Sequence, residues 1–457
     1  MGMEAQSPNF MPVRLDPRGV PVTTESLEAI ALLDHAITGL AGHRADTVHW
    51  IDKALALDPG MVPAWCIKAF AYKALGRTDL NSDARACVRA AHVALSERGG
   101  SPRERALCAA LDAWCRGLPL AAATTLEHTL VAYPRDLLAF KLFHALSFIL
   151  GRPAAMRNAI ERALPAWDES VPGYGYVLGC YAFALEETGE LARAEQVGRR
   201  AVELEPLDAW GAHAVAHVFE STDRAEAGVR WMDEVEPALM GCNNFGGHLA
   251  WHRSLLYLQQ GELDRALALH DERIVVHCGR DYRDVANAST LLWRLEREGM
   301  NVGARWQLLA ELARERIGDH GLAFADVHYA LALTGSGQLA DAEHFVTSMQ
   351  RSAAERHGFY ANVARDVGVP LAQSIVALGA GAPYIAVAKL LPITQTFQRL
   401  GGSNAQRDIF DLVLIDAALR CDRALARLLL ERRLAQRPDN RYAQEQLQRL
   451  RISHVAA

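Results

Sequence analysis

What most constrains this chain of 457 residues is a pair of short strings that return at nearly one interval. Gly-Glu-Leu-x-x-Ala at Gly189 (GELARAE) recurs at Gly261 (GELDRAL) and, as Gly-Gln-Leu, at Gly337 (GQLADAE), roughly 72 to 76 residues apart. A second series, ALALDP ending at Pro59, LVAYP at Pro134 and VELEP at Pro206, repeats every 72 to 75 residues or so. Each marker has a physical role in a helix pair. The glycine permits a tight turn at positive φ, where a side chain would be strained. The proline stops the second helix because it cannot continue the hydrogen-bond ladder. Ala194, Ala266 and Ala342, near the start of each second helix, are small enough for the two helices to approach closely. Between the markers apolar residues recur at helical spacing, as in Trp65, Ile67, Ala71 and Leu75 or Leu255, Leu258, Leu263 and Leu267, and no alternating strand pattern competes.

The interval is twice the tetratricopeptide period of about 34 residues. The expected fold class is therefore all-α: a tetratricopeptide-like α-solenoid, a right-handed superhelix of antiparallel helix pairs. A repeat array grows by adding neighbours, so a chain this long forms one continuous array rather than separate domains. The array is placed at 25–457, with capping helices at its C-terminal end. Residues 1–24 form an extended N-terminal arm, since Gly2 to Val22 carries four prolines and little periodicity. A 50% hydrophobic, 22% charged composition rules against wholesale disorder. A net charge of −6 with both signs interspersed gives no basic footprint for phosphate, so nucleic acid is not expected as a partner. The sequence has no secretory signal pattern and no stretch of about 18 uninterrupted apolar residues, so no membrane is expected and a cytoplasmic location is. Eight scattered cysteines without a CxxC pair read as reduced thiols.

The first helix of each pair lines the concave side of such an array, so polar or aromatic residues there are candidates for a ligand-binding groove. The string FGGHLAWHRSLLYLQQG places His248 and His252 one turn apart with Trp251 beside them. The preceding first helix, DAWGAHAVAHVFE, puts His213 and His217 on one face. Its turn lacks the marker glycine. Both histidines face the groove if Gly228 fills the small-residue slot, and rotate toward the neighbouring helix if Ala225 or Ala227 does. His328 falls at the repeat position of His252, with Asp326 nearby, and Asp284 lies on the intervening first helix beside Asn287 and Trp293. In RLGGSNAQRDIFDLVLIDAAL, Ser403 and Gln406 form a capping box, leaving Asn404, Arg407 and Asp408 in the first turns, where Arg407 meets a carboxylate of the protein or of a ligand.

An i, i+4 histidine pair in an apolar helix is also what ordinary packing produces, with the ring nitrogens satisfied by backbone or carboxylate. HxxxH is compatible with zinc, but His213 to His217 lacks the glutamate of the HExxH form, so no metal is assigned from sequence and any cofactor stays open.

The strings HAVAHVFE, HLAWHRSLLYLQQGELDRAL, FADVHYALALTGSG and GGSNAQRDIFDLVLIDAAL, in this order and spacing, resemble the tetratricopeptide repeat protein 38 family over about Ser26 to Leu447. The resemblance implies an all-helical, soluble repeat protein and carries no activity with it. Ala250 departs from the pattern, which has a second tryptophan between the two histidines.

The functional expectation is a repeat protein that binds a peptide, partner protein or small molecule in a His/Trp-rich concave groove. The alternative is an enzyme using the groove histidines and carboxylates for acid–base or metal-assisted chemistry. The end helix RALARLLLERRLAQRP caps the array or mediates a homodimer; the sequence leaves both open.

Overall fold

The computed structural model describes residues 11–279 and 281–455; the first ten residues of the expected arm lie outside them. The described chain is an all-α solenoid of antiparallel helix pairs. The sequence markers sit where the helix-pair logic requires. Gly189, Gly261 and Gly337 turn at φ of 88°, 76° and 77°, and Ala194, Ala266 and Ala342 are fully buried between their paired helices.

The pair lacking a marker glycine has a substitute. Asp223 takes the left-handed conformation at φ 53°. Five residues on, as Ala194 follows Gly189, Gly228 fills the small-residue slot: a Cβ there would stand 2.8 Å from Leu256 and 2.9 Å from Phe219. This resolves the register of the preceding helix and turns His213 and His217 inward.

First and second helices differ sharply in burial. In Leu191–Leu204, a second helix, only Ala194, Gly198 and Ala201 are buried. In the first helix Ala209–Ser221 every residue from Ala209 to Glu220 is buried, and in Tyr174–Glu187 every residue from Gly175 on. A helix apolar all round must be covered all round. The concave faces expected to line a ligand groove are accordingly covered at these helices, because distant segments of the array meet across them. Thr78 donates through N and Oγ1 to Asp319 Oδ1 (2.7 and 2.6 Å), and Trp114 Nε1 donates to the Tyr360 hydroxyl (2.8 Å). Asn404–Cys421 enters from the C-terminal side, its leading Gly402 against the Phe324 ring. The loop after the first helix reaches across as well, with Asn243 N donating to His43 O at 2.8 Å.

At the N-terminus the described part of the arm folds into a two-stranded antiparallel hairpin, Val13–Leu15 against Pro21–Thr23. The turn explains why: Asp16 Oδ1 accepts from the backbone N–H groups of Arg18 and Val20, and Gly19 turns at φ 77°. Thr23 then bonds Glu104, and Arg103 donates to Pro21 O, which docks the hairpin on the helix Pro102–Cys115. All eight cysteines are unpaired, four of them buried. Among the described residues no helix is long and apolar enough to cross a membrane.

Candidate metal centre

Two adjacent first helices build the site. Ala209–Ser221 starts at Asp208, whose side chain caps Trp210 N, and Phe245–Gln260 stops at Gly261. Residues four apart share a helix face, so each helix presents two imidazoles to the other. Close approach is secured at Gly228 on the helix between them, where a Cβ would lie 2.8 Å from Leu256 of one and 2.9 Å from Phe219 of the other.

The four Nε2 atoms converge. His213 Nε2 lies 2.9 Å from that of His217, 3.0 Å from His248 and 3.1 Å from His252, and His248 and His252 are 3.3 Å apart. All four residues offer a ligand nitrogen within 4.8 Å of one another. An imidazole nitrogen has one in-plane lone pair or proton, so His213 Nε2 can hydrogen-bond one of its three neighbours and not all. A shared cation satisfies them together: a tetrahedral zinc with nitrogens at about 2.0–2.1 Å places those nitrogens roughly 3.3 Å apart.

The opposite ring edges point to the same arrangement. His248 Nδ1 meets Asn287 Oδ1 at 3.0 Å and His252 Nδ1 meets Glu220 Oε2 at 3.3 Å. These oxygens accept only, so each Nδ1 carries the proton and each Nε2 presents its lone pair to the centre. His217 Nδ1 lies 3.3 Å from Glu186 Oε2, within ion-pair reach though not aligned as a hydrogen bond. His213 Nδ1 is buried without a partner.

Electrostatics follow from burial. Burial and the neighbouring imidazoles hold His213 and His252 well below the ordinary histidine pKa, and burial brings His248 down to about 3. Burial would lower His217 too, but the carboxylates of Glu186, Glu220 and Glu187 outweigh it and raise it. Aromatic rings wall the cluster: Trp251 stacks on His248 at 5.4 Å, and Phe183, Trp210 and Phe245 pack around His213.

Of the other sequence candidates, none adds an imidazole to this centre. His328 donates through Nδ1 to Phe324 O at 2.7 Å and packs on Phe324 and Phe410, its pKa lowered by burial to about 4. Asp326 pairs with His320 at 3.1 Å. Asp408 pairs with Arg433 at 2.5 Å. Asn404 and Arg407 gather on Glu187: Asn404 N donates to Oε1 at 2.6 Å and Arg407 Nη2 to Oε2 at 3.2 Å. Arg407 thus meets a carboxylate of the protein. Burial and the Glu186 charge push Glu187 up to about 7. Glu186, Glu187 and Glu220 have no place in the sequence-level set. Glu220 was within reach of it, three residues after His217 in HAVAHVFE, whereas Glu186 and Glu187 look like ordinary helix-end acids before the turn glycine.

Asp284 accepts from Asn244 Nδ2 at 3.1 Å. Burial and the adjacent Asp281 charge push it up to about 7 from 3.8. An acid raised in the folded state binds protons more tightly there than when unfolded, so its contribution to stability falls as pH rises from about 4 to 7. Asp284→Asn should therefore match the parent near pH 4 and melt higher than the parent at pH 8. A melting series that runs parallel at every pH would show that Asp284 ionises freely.

No protein-family model matches this chain. Among solved structures it is similar to yeast Tom70 (15% identity, 94% of this chain and 89% of that one, TM-score 0.37) and to a human IFIT1 dimer with m7Gppp-AAAA (14%, 78% and 90%, TM-score 0.34). It is also similar to the P58(IPK) TPR domain (14%, 76% and 99%, TM-score 0.22). The helix pairs, their turn glycines and their buried small residues define the fold, an all-α solenoid of tetratricopeptide-like helix pairs, with four imidazoles gathered between two of its inner helices.

Proposed function

We propose that the protein is a metal-binding repeat protein in which His213, His217, His248 and His252 hold one divalent transition-metal ion, with zinc the best match. The observation that carries this reading is the convergence of four imidazoles with four Nε2–Nε2 distances of 2.9–3.3 Å, two of the rings backed by acceptor oxygens. The proposal goes beyond the sequence reading, which assigned no metal ligand, because HxxxH in one helix is ambiguous and only the packing of two helices makes a four-nitrogen set. Imidazole donors suit zinc, copper, iron and nickel, and a tetrahedral cage favours zinc. Four protein ligands leave no coordination position for substrate, which is the pattern of a structural site.

The ligand of these histidines is thus a metal ion rather than a peptide, whose entry the buried rings do not permit. The ion clamps two adjacent helices, and Glu187, held by Asn404 and Arg407 beside Glu186, ties the helix Asn404–Cys421 to the same centre. Two of the strings through which the chain resembles the tetratricopeptide repeat protein 38 family carry all four histidines, so members that keep them are expected to bind metal too.

Elemental analysis and native mass spectrometry of protein purified without added metal test the reading, with one transition-metal ion per chain as the expected result. Protein that stays metal-free after incubation with zinc, cobalt, nickel and copper would overturn it. Glu220→Gln should keep the metal but weaken it by about 10–100-fold, the usual effect of disturbing a residue that orients a ligand. Unchanged affinity in a chelator competition would mean that Glu220 does not orient His252.

A further inference from the structure

Two cavities are rich in cations, and their charge balance separates them. The one between Glu220 and the C-terminal helices, about 80 Å³, is lined by five arginines. Each has an acid within ion-pair distance: Arg294 and Arg433 with Asp408, Arg297 with Asp416, Arg437 with Glu220 and Arg441 with Glu298. It is an internal ion-pair network.

The second cavity, about 300 Å³, lies at the seam where the early repeats meet the late ones. Lys73, Arg77 and Arg116 line it from the early side and Arg356 from the late side, and its lining contains no aspartate or glutamate. Arg77 and Arg116 are steadied by Asp79 and Asp112. Among the described residues neither Lys73 nor Arg356 has a carboxylate within ion-pair distance, though Arg356 acts on Asp326 from farther off. Lys73 Nζ bonds the neutral Asn81 Oδ1 at 2.7 Å, and Arg356 donates to the backbone oxygen of His320 at 3.1 Å. Burial lowers the Lys73 pKa, the mark of an ammonium withdrawn from water. Trp114 and Tyr360, joined by their hydrogen bond, add an aromatic wall.

We propose that this seam binds a small organic polyanion, a phosphate ester or a polycarboxylate, held by Lys73 and Arg356 from opposite sides. Two cations without close ion pairs in a concave, partly apolar cavity of about 300 Å³ are what such a ligand needs: charge to meet its oxygens and walls to cover its carbon skeleton. Because the two sides come from residues distant in sequence, the bound anion also braces the closed array next to the Thr78–Asp319 bonds.

The test is calorimetric titration of the full chain with inorganic phosphate and, separately, with succinate, both weak metal chelators. At least one should bind with a Kd of about 1 mM or tighter, and the arm that does identifies the headgroup chemistry. Lys73→Gln and Arg356→Gln should each weaken that binding tenfold or more, while Arg230→Gln, a surface change far in sequence from the seam, leaves it unaltered. Arg356 is exposed, so its variant keeps the fold even if that of Lys73 does not. Repeating the titration on His213→Ala separates the seam from the metal centre, since binding should persist there. No heat with either anion, or equal weakening in the Arg230 variant, would sink the proposal.

Discussion

His213→Ala is expected to abolish metal binding and to lower the melting temperature to that of the chelated parent protein. His213 is the hub of the cluster, its Nε2 within 3.1 Å of three other imidazole nitrogens. Removing it leaves three donors and an opening in the aromatic wall. An ion at a thousand times its dissociation constant stabilises the folded state by about 4 kcal/mol, so the variant should unfold at clearly lower denaturant than the metal-loaded parent. Loss of packing also destabilises, and the control is His328→Ala. That residue is a comparably buried histidine outside the cluster, 2% exposed against 1% for His213. Both variants lose packing, but only His213→Ala should lose metal and become insensitive to chelator. If the two behave alike in metal content and chelator response, the imidazole cluster is a packing feature.

Arg103→Met should destabilise the N-terminal helix pairs by about 3–5 kcal/mol, the cost of removing one partner from a buried ion pair. Arg103 is fully buried and grips Asp136 with two bonds, Nε to Oδ2 at 2.6 Å and Nη2 to Oδ1 at 2.8 Å. Its third arm donates to Pro21 O at 3.2 Å and holds the hairpin. Without the guanidinium, Asp136 is left 1% exposed with its charge uncompensated. Denaturant unfolding should show an early transition, and amide exchange near Val22 and Thr23 should speed up. Arg103→Met combined with Asp136→Leu removes both charges and should recover much of the loss. A single-variant cost under about 1 kcal/mol would mean that water reaches Asp136 and the pair is not truly buried.

Much of this architecture was legible in short-range signals. Gly189, Gly261 and Gly337 report a backbone angle that few other residues adopt easily, and Ala194, Ala266 and Ala342 report a helix-to-helix distance, so both can be read without knowing the neighbours. The register of the pair between Gly189 and Gly261 stayed open in the sequence because Asp223 supplies the left-handed turn that glycine supplies elsewhere. The ligand groove was the expectation that changed most. Leu137–Ile149, Tyr174–Glu187 and Ala209–Ser221 are apolar on nearly every face, a sign of burial all round, but which partners cover those faces depends on contacts hundreds of residues apart, such as Asn404 to Glu187 and Thr78 to Asp319.

The candidate site divides along the same line. The two HxxxH pairs and Trp251 are written in the sequence, because four-residue spacing places side chains on one helical face whatever the helix packs against. Their convergence on one point was decided only by tertiary structure. It needed the close approach at Gly228, and oxygens behind the rings from Glu220 on one of the two histidine helices and from Glu186 and Asn287 on two others. His328, at the same repeat position as His252, shows the limit: equal register puts it on the equivalent face, but Phe324 and Phe410 surround it where histidines surround His252. Helical periodicity is a property of consecutive residues and survives in the sequence; which imidazoles meet is a property of how distant helices stack.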